Sequence, residues 1–193
     1  MTYSVLLLVY VILQFIAFFF VLVATPIEMF VERNPLRSSF PGCYTLWGFK
    51  FGCRSLDYVF PIDQVFTDCP VVQHRFRAAQ AFAIISIFVY GAAFILGSIL
   101  LFCCSFLRMV CLALNIVGIA TLCVVWAAMA VTYNNREGRD CPALKNHWAY
   151  GTGFVLFVIA WILDIINIIF LLLPYEANNH DKGGKNDRVS SQM

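Results

Sequence analysis

The residues of this chain with chemistry to offer are its cysteines. Eight occur in 193 residues, and four of them (Cys43, Cys53, Cys69 and Cys141) fall in polar stretches between very apolar ones. Cys43 and Cys53 sit symmetrically about Gly48 in Cys43-Tyr44-Thr45-Leu46-Trp47-Gly48-Phe49-Lys50-Phe51-Gly52-Cys53. That symmetry predicts a β-hairpin with a three-residue loop, Trp47 to Phe49, in which Gly48 takes a positive φ. Cys43 then faces Cys53, Tyr44 faces Gly52, and Thr45 faces Phe51. Opposed residues of a non-hydrogen-bonded pair stand about 4.5 Å apart at Cα, a span that a disulfide bridges.

The other two loop cysteines share a tripeptide. Asp68-Cys69-Pro70 and Asp140-Cys141-Pro142 each read as a helix start, with Asp as N-cap and Pro in the first turn. The stretches Pro70–Phe102 and Pro142–Pro174 are equal in length, 33 residues each. A helix of that size is about 50 Å long, longer than a hydrocarbon core of about 30 Å. Both helices should therefore project above the membrane and lift Cys69 and Cys141 to one height, which predicts a second disulfide. Two free thiols are the plainer alternative. A zinc site using His74 and His147 beside them is a third.

Inside the apolar stretches, polar side chains are few: Gln14, Asn115, Asp164 and Asn167. Asn115 and Asp164 lie at similar depths, so Asn115 is expected to hydrogen-bond Asp164 or Asn167 across neighbouring helices. An ionisable residue at such depth is a functional candidate, and an interhelical hydrogen bond is the structural alternative.

The elements that position these groups are apolar helices. Hydrophobic residues make up 61% of the chain and charged residues 12%, against about a quarter charged in soluble domains. The fold class is an all-α membrane protein, a four-transmembrane-helix bundle with a small disulfide-stapled hairpin or sheet in its first loop. Residues 1–24 form the N-terminus and first span, retained rather than cleaved, since a cationic start and a cleavage site are both missing. Residues 25–77 form the large loop with the hairpin at 43–53, and 78–102 the second span. A turn at 103–106 leads to the third span, 107–131. A short loop follows at 132–147, then the fourth span at 148–173. Residues 174–193 are polar and are expected to be a disordered tail. Small residues at Ala79, Ala83, Ala93 and Gly97 suit close helix packing within the bundle, or a second copy of the chain. Cys103 and Cys104 at the end of span two suit palmitoylation.

Two criteria disagree about orientation. The loops carry nine Lys and Arg and the termini face four, which by the positive-inside rule puts the loops in the cytoplasm. An even set of loop cysteines instead calls for an oxidising space, and the hairpin geometry favours this second reading. The sequence contains no Asn-x-Ser/Thr acceptor to break the tie. His74, His147 and His180 are the only histidines, and no nucleophile triad, phosphate loop or HExxH pattern occurs. The chain therefore reads as non-enzymatic, with no cofactor and no metal. Loop cations alternate with acids, which excludes a nucleic-acid stripe. Membrane lipids are the partners that composition itself implies.

The segment Cys43–Cys53 resembles the signature of the amastins, surface proteins of trypanosomatid parasites. Cys43, Tyr44, Thr45, Leu46, Trp47, Gly48, Lys50 and Cys53 match it, while Gly52 departs from a position where the family prefers a polar residue. Thr25-Pro26-Ile27-Glu28 is similar to the family too. The chain also resembles the claudin and peripheral-myelin group, whose first loop carries Leu-Trp and a cysteine pair, but there the cysteines do not flank Leu-Trp-Gly. The amastin resemblance implies a plasma-membrane protein with cytosolic termini and both loops outside. It implies abundance in the parasite's intracellular stage and contact with a host membrane or host surface protein. The alternative expectation, from Asp164 with Asn115 and Asn167, is a small transporter, channel or proton-balance protein.

Overall fold

The computed structural model describes residues 2–33, 42–53, 55, 57–102, 106–137, 141 and 143–190, without the side chains of 2–4 and 174–190. Four long helices run α1 (Thr2–Ala24), α3 (Pro70–Leu100), α4 (Phe106–Asn134) and α5 (Thr152–Ser190). Each contains a stretch long and apolar enough to cross a membrane. Between them lie strands β1 (Glu28–Glu32), β2 (Gly42–Thr45), β3 (Gly48–Phe51), β4 (Phe60–Pro61) and β5 (Trp148–Tyr150), the single helical turn α2 (Ile62–Val65) and a 3₁₀ turn at Leu144–Asn146.

Helix limits follow from local chemistry. Pro26 disfavours helical geometry at Thr25, and α1 ends at Ala24. Pro70 occupies the first helical position of α3, where its missing N–H costs nothing. That makes Cys69 the N-cap, so Asp68 stands one residue too early for the capping role expected of it. The fourth helix departs further from expectation. It begins at Thr152, and the chain after Cys141 forms the 3₁₀ turn and β5 instead. At its far end α5 continues to Ser190 through the segment expected to be disordered. Extending a formed helix needs no new nucleus, so polar composition alone does not stop it.

The buried positions repeat in alternating steps of three and four. On α3 they are Val72, Phe76, Ala79, Ala83, Ser86, Tyr90, Ala93, Gly97 and Leu100. On α1 they are Leu7, Tyr10, Gln14, Ala17, Val21 and Ala24, and on α5 Phe157, Ala160, Asp164, Asn167 and Leu171. A 3.5-residue repeat gives left-handed packing of near-parallel helices. Each helix has two neighbours: α1 packs on α3 and α5, and α4 packs on α3 and α5. The bundle interior combines large apolar side chains such as Tyr90, Leu122 and Phe157 with small residues and a few polar ones, and other large apolar side chains such as Phe88, Ile95 and Ile169 face outward. With apolar surface outside as well as inside, packing and interhelical hydrogen bonds hold the helices together in lipid.

The strands form one antiparallel sheet in the order β4-β3-β2-β1-β5. The two loops meet in it, because β1 to β4 come from the first and β5 from the second. Its seat is the start of α5. A Cβ at Gly153 would lie 2.9 Å from the Glu28 carbonyl oxygen, and one at Gly151 would be closer still. Gly151 N–H donates to the Met29 carbonyl at 2.8 Å, and Thr152 Oγ1 donates to Glu28 Oε1 at 3.0 Å. Gly151→Val should drive β1 off this seat and destabilise the protein by about 1–3 kcal/mol, the usual cost of forced overpacking. Thermal unfolding of the detergent-solubilised variant should show a lowered midpoint, with an unchanged midpoint contradicting the seat.

Candidate functional site

Cys43 and Cys53 are bonded, with Cα atoms 5.4 Å apart, but the hairpin between them has a different register from the symmetric one. Tyr44 pairs with Phe49, Cys43 with Lys50 and Gly42 with Phe51. The turn is only Leu46 and Trp47, and Thr45 makes it. Its hydroxyl accepts the N–H groups of Trp47 and Gly48, each at 3.1 Å, and donates to the Gly48 carbonyl at 3.0 Å. The shorter turn leaves Cys53 past the strand end. Gly52, at φ +84°, bends the chain back so that the sulfurs meet. Gly52 therefore supplies the left-handed backbone expected at Gly48, and the space where its Cβ would stand is open.

Each signature residue fastens something. Leu46 is fully buried, and its carbonyl accepts Gln80 Nε2 of α3 at 2.6 Å. Trp47 Nε1 donates to the Thr25 carbonyl at the end of α1, at 3.1 Å. A Cβ at Gly48 would stand 2.5 Å from the Phe60 carbonyl oxygen, so glycine lets β4 approach. Tyr44 packs against Trp148, Phe49 and Phe66, with ring centroids 4.4, 5.1 and 5.6 Å away, and burial pushes its phenol pKa up. Lys50 is buried; its Nζ donates to the Ser55 carbonyl at 3.1 Å and lies 4.3 Å from the Tyr58 ring centre. Tyr44 and Phe49 are half-buried. Tyr58 and Phe60 are exposed.

A second covalent tie joins the loops. Cys69 and Cys141 are bonded at a Cα separation of 5.9 Å. Beside them Arg75 of α3 forms an ion pair with Glu137, and Arg77 Nε reaches Asp63 Oδ1 at 3.1 Å. The Arg77 hydrogen bond holds the exposed Asp63 carboxyl below its usual pKa. With both sulfurs in the disulfide, the zinc alternative loses its thiolates. His74 and His147 are exposed, and the described residues contain no group of three or more potential metal-binding His, Cys, Asp or Glu side chains. Beneath the sheet, Phe30 meets Phe76, Tyr133 and Tyr150 at 5.9 to 6.4 Å, and Arg33 Nη2 donates to Tyr133 Oη at 3.1 Å.

The polar residues within the bundle gather in the buried seam with partners other than those expected. Asn115 Nδ2 donates to Tyr10 Oη at 3.1 Å and to the Cys111 carbonyl at 2.8 Å, rather than to Asp164 or Asn167. Asn167 Nδ2 donates to Gln14 Oε1 at 2.8 Å. α1, nearly devoid of polar groups in its sequence, thus supplies the two acceptors that lie on another helix. The Asp164 carboxyl is completely buried beside Tyr90, against Gly118, where a Cβ would lie 2.8 Å from its Oδ2. Neither Asp164 oxygen meets a hydrogen-bond donor in good geometry, and the Tyr90 hydroxyl is the polar group beside it. Tyr10 and Tyr90 belong to this seam and sequence reasoning missed them, while Gly118 joins it as a small residue that lets helices pack closely. The repeat of buried positions at three and four residues was the available signal. Cys103 and Cys104 lie outside the described residues.

These features define a multi-pass membrane protein with a covalently braced loop domain on one side of a four-helix bundle. The family model described as amastin surface glycoprotein matches residues 15–171, a range that holds both disulfides, the second half of the first span and nearly all of the other three. The chain belongs to the amastin family. Comparison with curated proteins finds no match.

The geometry assigns Thr45 a structural task. Thr45→Val keeps its shape but leaves two turn N–H groups without their acceptor, a loss of about 1–3 kcal/mol for a buried donor. The expected result is a lower unfolding midpoint and faster reduction of the Cys43–Cys53 bond by a mild thiol. Unchanged reduction kinetics would remove Thr45 from the turn.

Proposed function

We propose that the protein is a non-enzymatic surface protein whose braced loop domain makes contact with an opposing membrane. In this reading both loops are extracellular and both termini cytosolic. Two disulfides in the loops support that orientation, because such bonds persist in oxidising spaces. The positive-inside count opposes it, but two of the loop cations, Lys50 and Arg75, are spent within the loop domain on Ser55 and Glu137.

The observation that carries the contact role is an apolar edge. Phe51, Tyr58, Val59 and Phe60 are each more than two-fifths exposed, and β4 is the outermost strand on that side. Most other loop aromatics are turned into the domain, so these four are presented by a rigid frame. Replacing Val59 and Phe60 together by Ser, exposed side chains on the edge strand and the residue before it, should reduce adhesion of protein-bearing liposomes to target vesicles severalfold while leaving the unfolding midpoint near that of the wild type. Adhesion unaffected by the double change, or equally strong after reduction of both disulfides, would contradict the role.

A second reading rests on a different observation, the buried Asp164 carboxyl beside the Tyr90 hydroxyl and against Gly118, in the seam that holds the Asn167–Gln14 pair. A carboxyl so placed is suited to carrying a proton or ion across the bundle. Reconstituted liposomes should then show a proton or cation flux that Asp164→Asn abolishes. Absence of flux in the wild type assigns the carboxyl to packing alone.

A further inference from the structure

Donors and acceptors in the buried seam do not balance. Asn115 Nδ2 is committed to Tyr10 Oη and to the Cys111 carbonyl, so Asn115 Oδ1 points away from both. Asn167 Nδ2 is committed to Gln14 Oε1. Both amide oxygens and both Asp164 oxygens are buried without a donor in good geometry. The three residues are exposed by 1% or less. The Tyr90 hydroxyl beside the carboxyl can supply one hydrogen. A proton on Asp164 would supply a second and turn one acceptor into a donor, which still leaves three acceptors for two hydrogens.

These oxygens also share a level of the bundle. A Cβ at Gly118 would lie 2.8 Å from Asp164 Oδ2 and 2.9 Å from Tyr90 Cε2, so carboxyl and ring meet across that glycine. Helices α4 and α5 are antiparallel neighbours. Asn115 comes three residues before Gly118, and Asn167 three residues after Asp164. Both amides therefore stand about one turn from the carboxyl, on its termini side and on the inward face. Asp164 is the single acid within the four spans. Neither of the described salt bridges includes it.

Surplus oxygen acceptors around one carboxylate are what a hard monovalent cation requires. We propose that the seam binds a sodium ion, held by the Asp164 carboxylate with Asn115 Oδ1 and Asn167 Oδ1. Carboxylate and amide oxygens suit hard cations. One carboxylate balances one unit of charge, whereas a divalent ion would leave net charge buried in a medium that penalises it. The close approach of Asp164 and Tyr90 to Gly118 leaves little room, which favours sodium over the larger potassium ion. The proposal rests on the second reading of Asp164 and deepens it by naming the ion, although an ion that is held need not cross.

The test is thermal unfolding of the full chain in detergent, in sodium, potassium or choline chloride at matched ionic strength. The midpoint of the wild type should rise progressively with sodium concentration, as it does for any ligand bound by the folded state alone. Potassium should raise it less, and choline should leave it unchanged. Asp164→Asn removes the charge, and Gly118→Ala keeps the carboxylate but sets a methyl against it; each should lose the sodium dependence. Calorimetric titration of sodium into wild-type protein equilibrated in choline should show one ion bound per chain. Equal midpoints in the three salts, a sodium dependence undiminished in Asp164→Asn, or no heat of sodium binding would each overturn the site. Should neither variant fold, the wild-type titration decides the matter. Sodium-dependent stability without flux in liposomes keeps the site and ends the transport reading; proton flux without sodium dependence does the reverse.

Discussion

The loop domain depends on the seat that β1 takes on the first turn of α5. Its five strands are two to five residues long, and strands so short do not hold a sheet in water by their own pairing. They are held from below. Gly151 and Gly153 let the backbone of β1 lie directly on α5, Trp47 and Leu46 tie the hairpin to α1 and α3, and Phe30 fills the space between. The disulfides then limit what the unfolded loops can do. The Cys69–Cys141 bond closes a 72-residue separation and in the chain-entropy picture contributes roughly 4 kcal/mol.

The signature segment takes its meaning from this arrangement. Nearly all its side chains point into turns, helix ends or the sheet core. Leu46 and Lys50 are buried, Thr45 serves its own turn, and Trp47 spends its only donor on α1. A motif so occupied acts as a fastener. What it leaves for partners is the edge beside it, at Phe51 and Tyr58 to Phe60, where glycine at position 48 brings β4 into the sheet.

Much of this was legible in the sequence, and the failures have physical causes. Four spans followed from apolar length. The Cys43 and Cys53 spacing marked a hairpin, but its symmetry about Gly48 suggested a turn that the Thr45 hydroxyl replaces with a shorter one. The difference is absorbed by Gly52, among the described residues the one glycine with positive φ. Strands β1 and β5 were invisible because each finds its partners far along the chain, Phe30 against Tyr150 for instance. Asp140-Cys141-Pro142 resembled a helix start, but α5 could begin only after the chain had crossed the top of the bundle as β5. Depth alone paired Asn115 with Asp164; helix rotation, which depth does not set, pairs it with Tyr10.

The central claim is that both loops form one oxidised domain seated on the bundle. Peptide mapping under non-reducing conditions, on protein recovered from intact cells with free thiols first blocked, tests it most directly. The account requires two cross-linked peptide pairs, Cys43 with Cys53 and Cys69 with Cys141, and blocking reagent on neither pair. Blocked, unbonded thiols at Cys69 and Cys141 would separate the loops and contradict it.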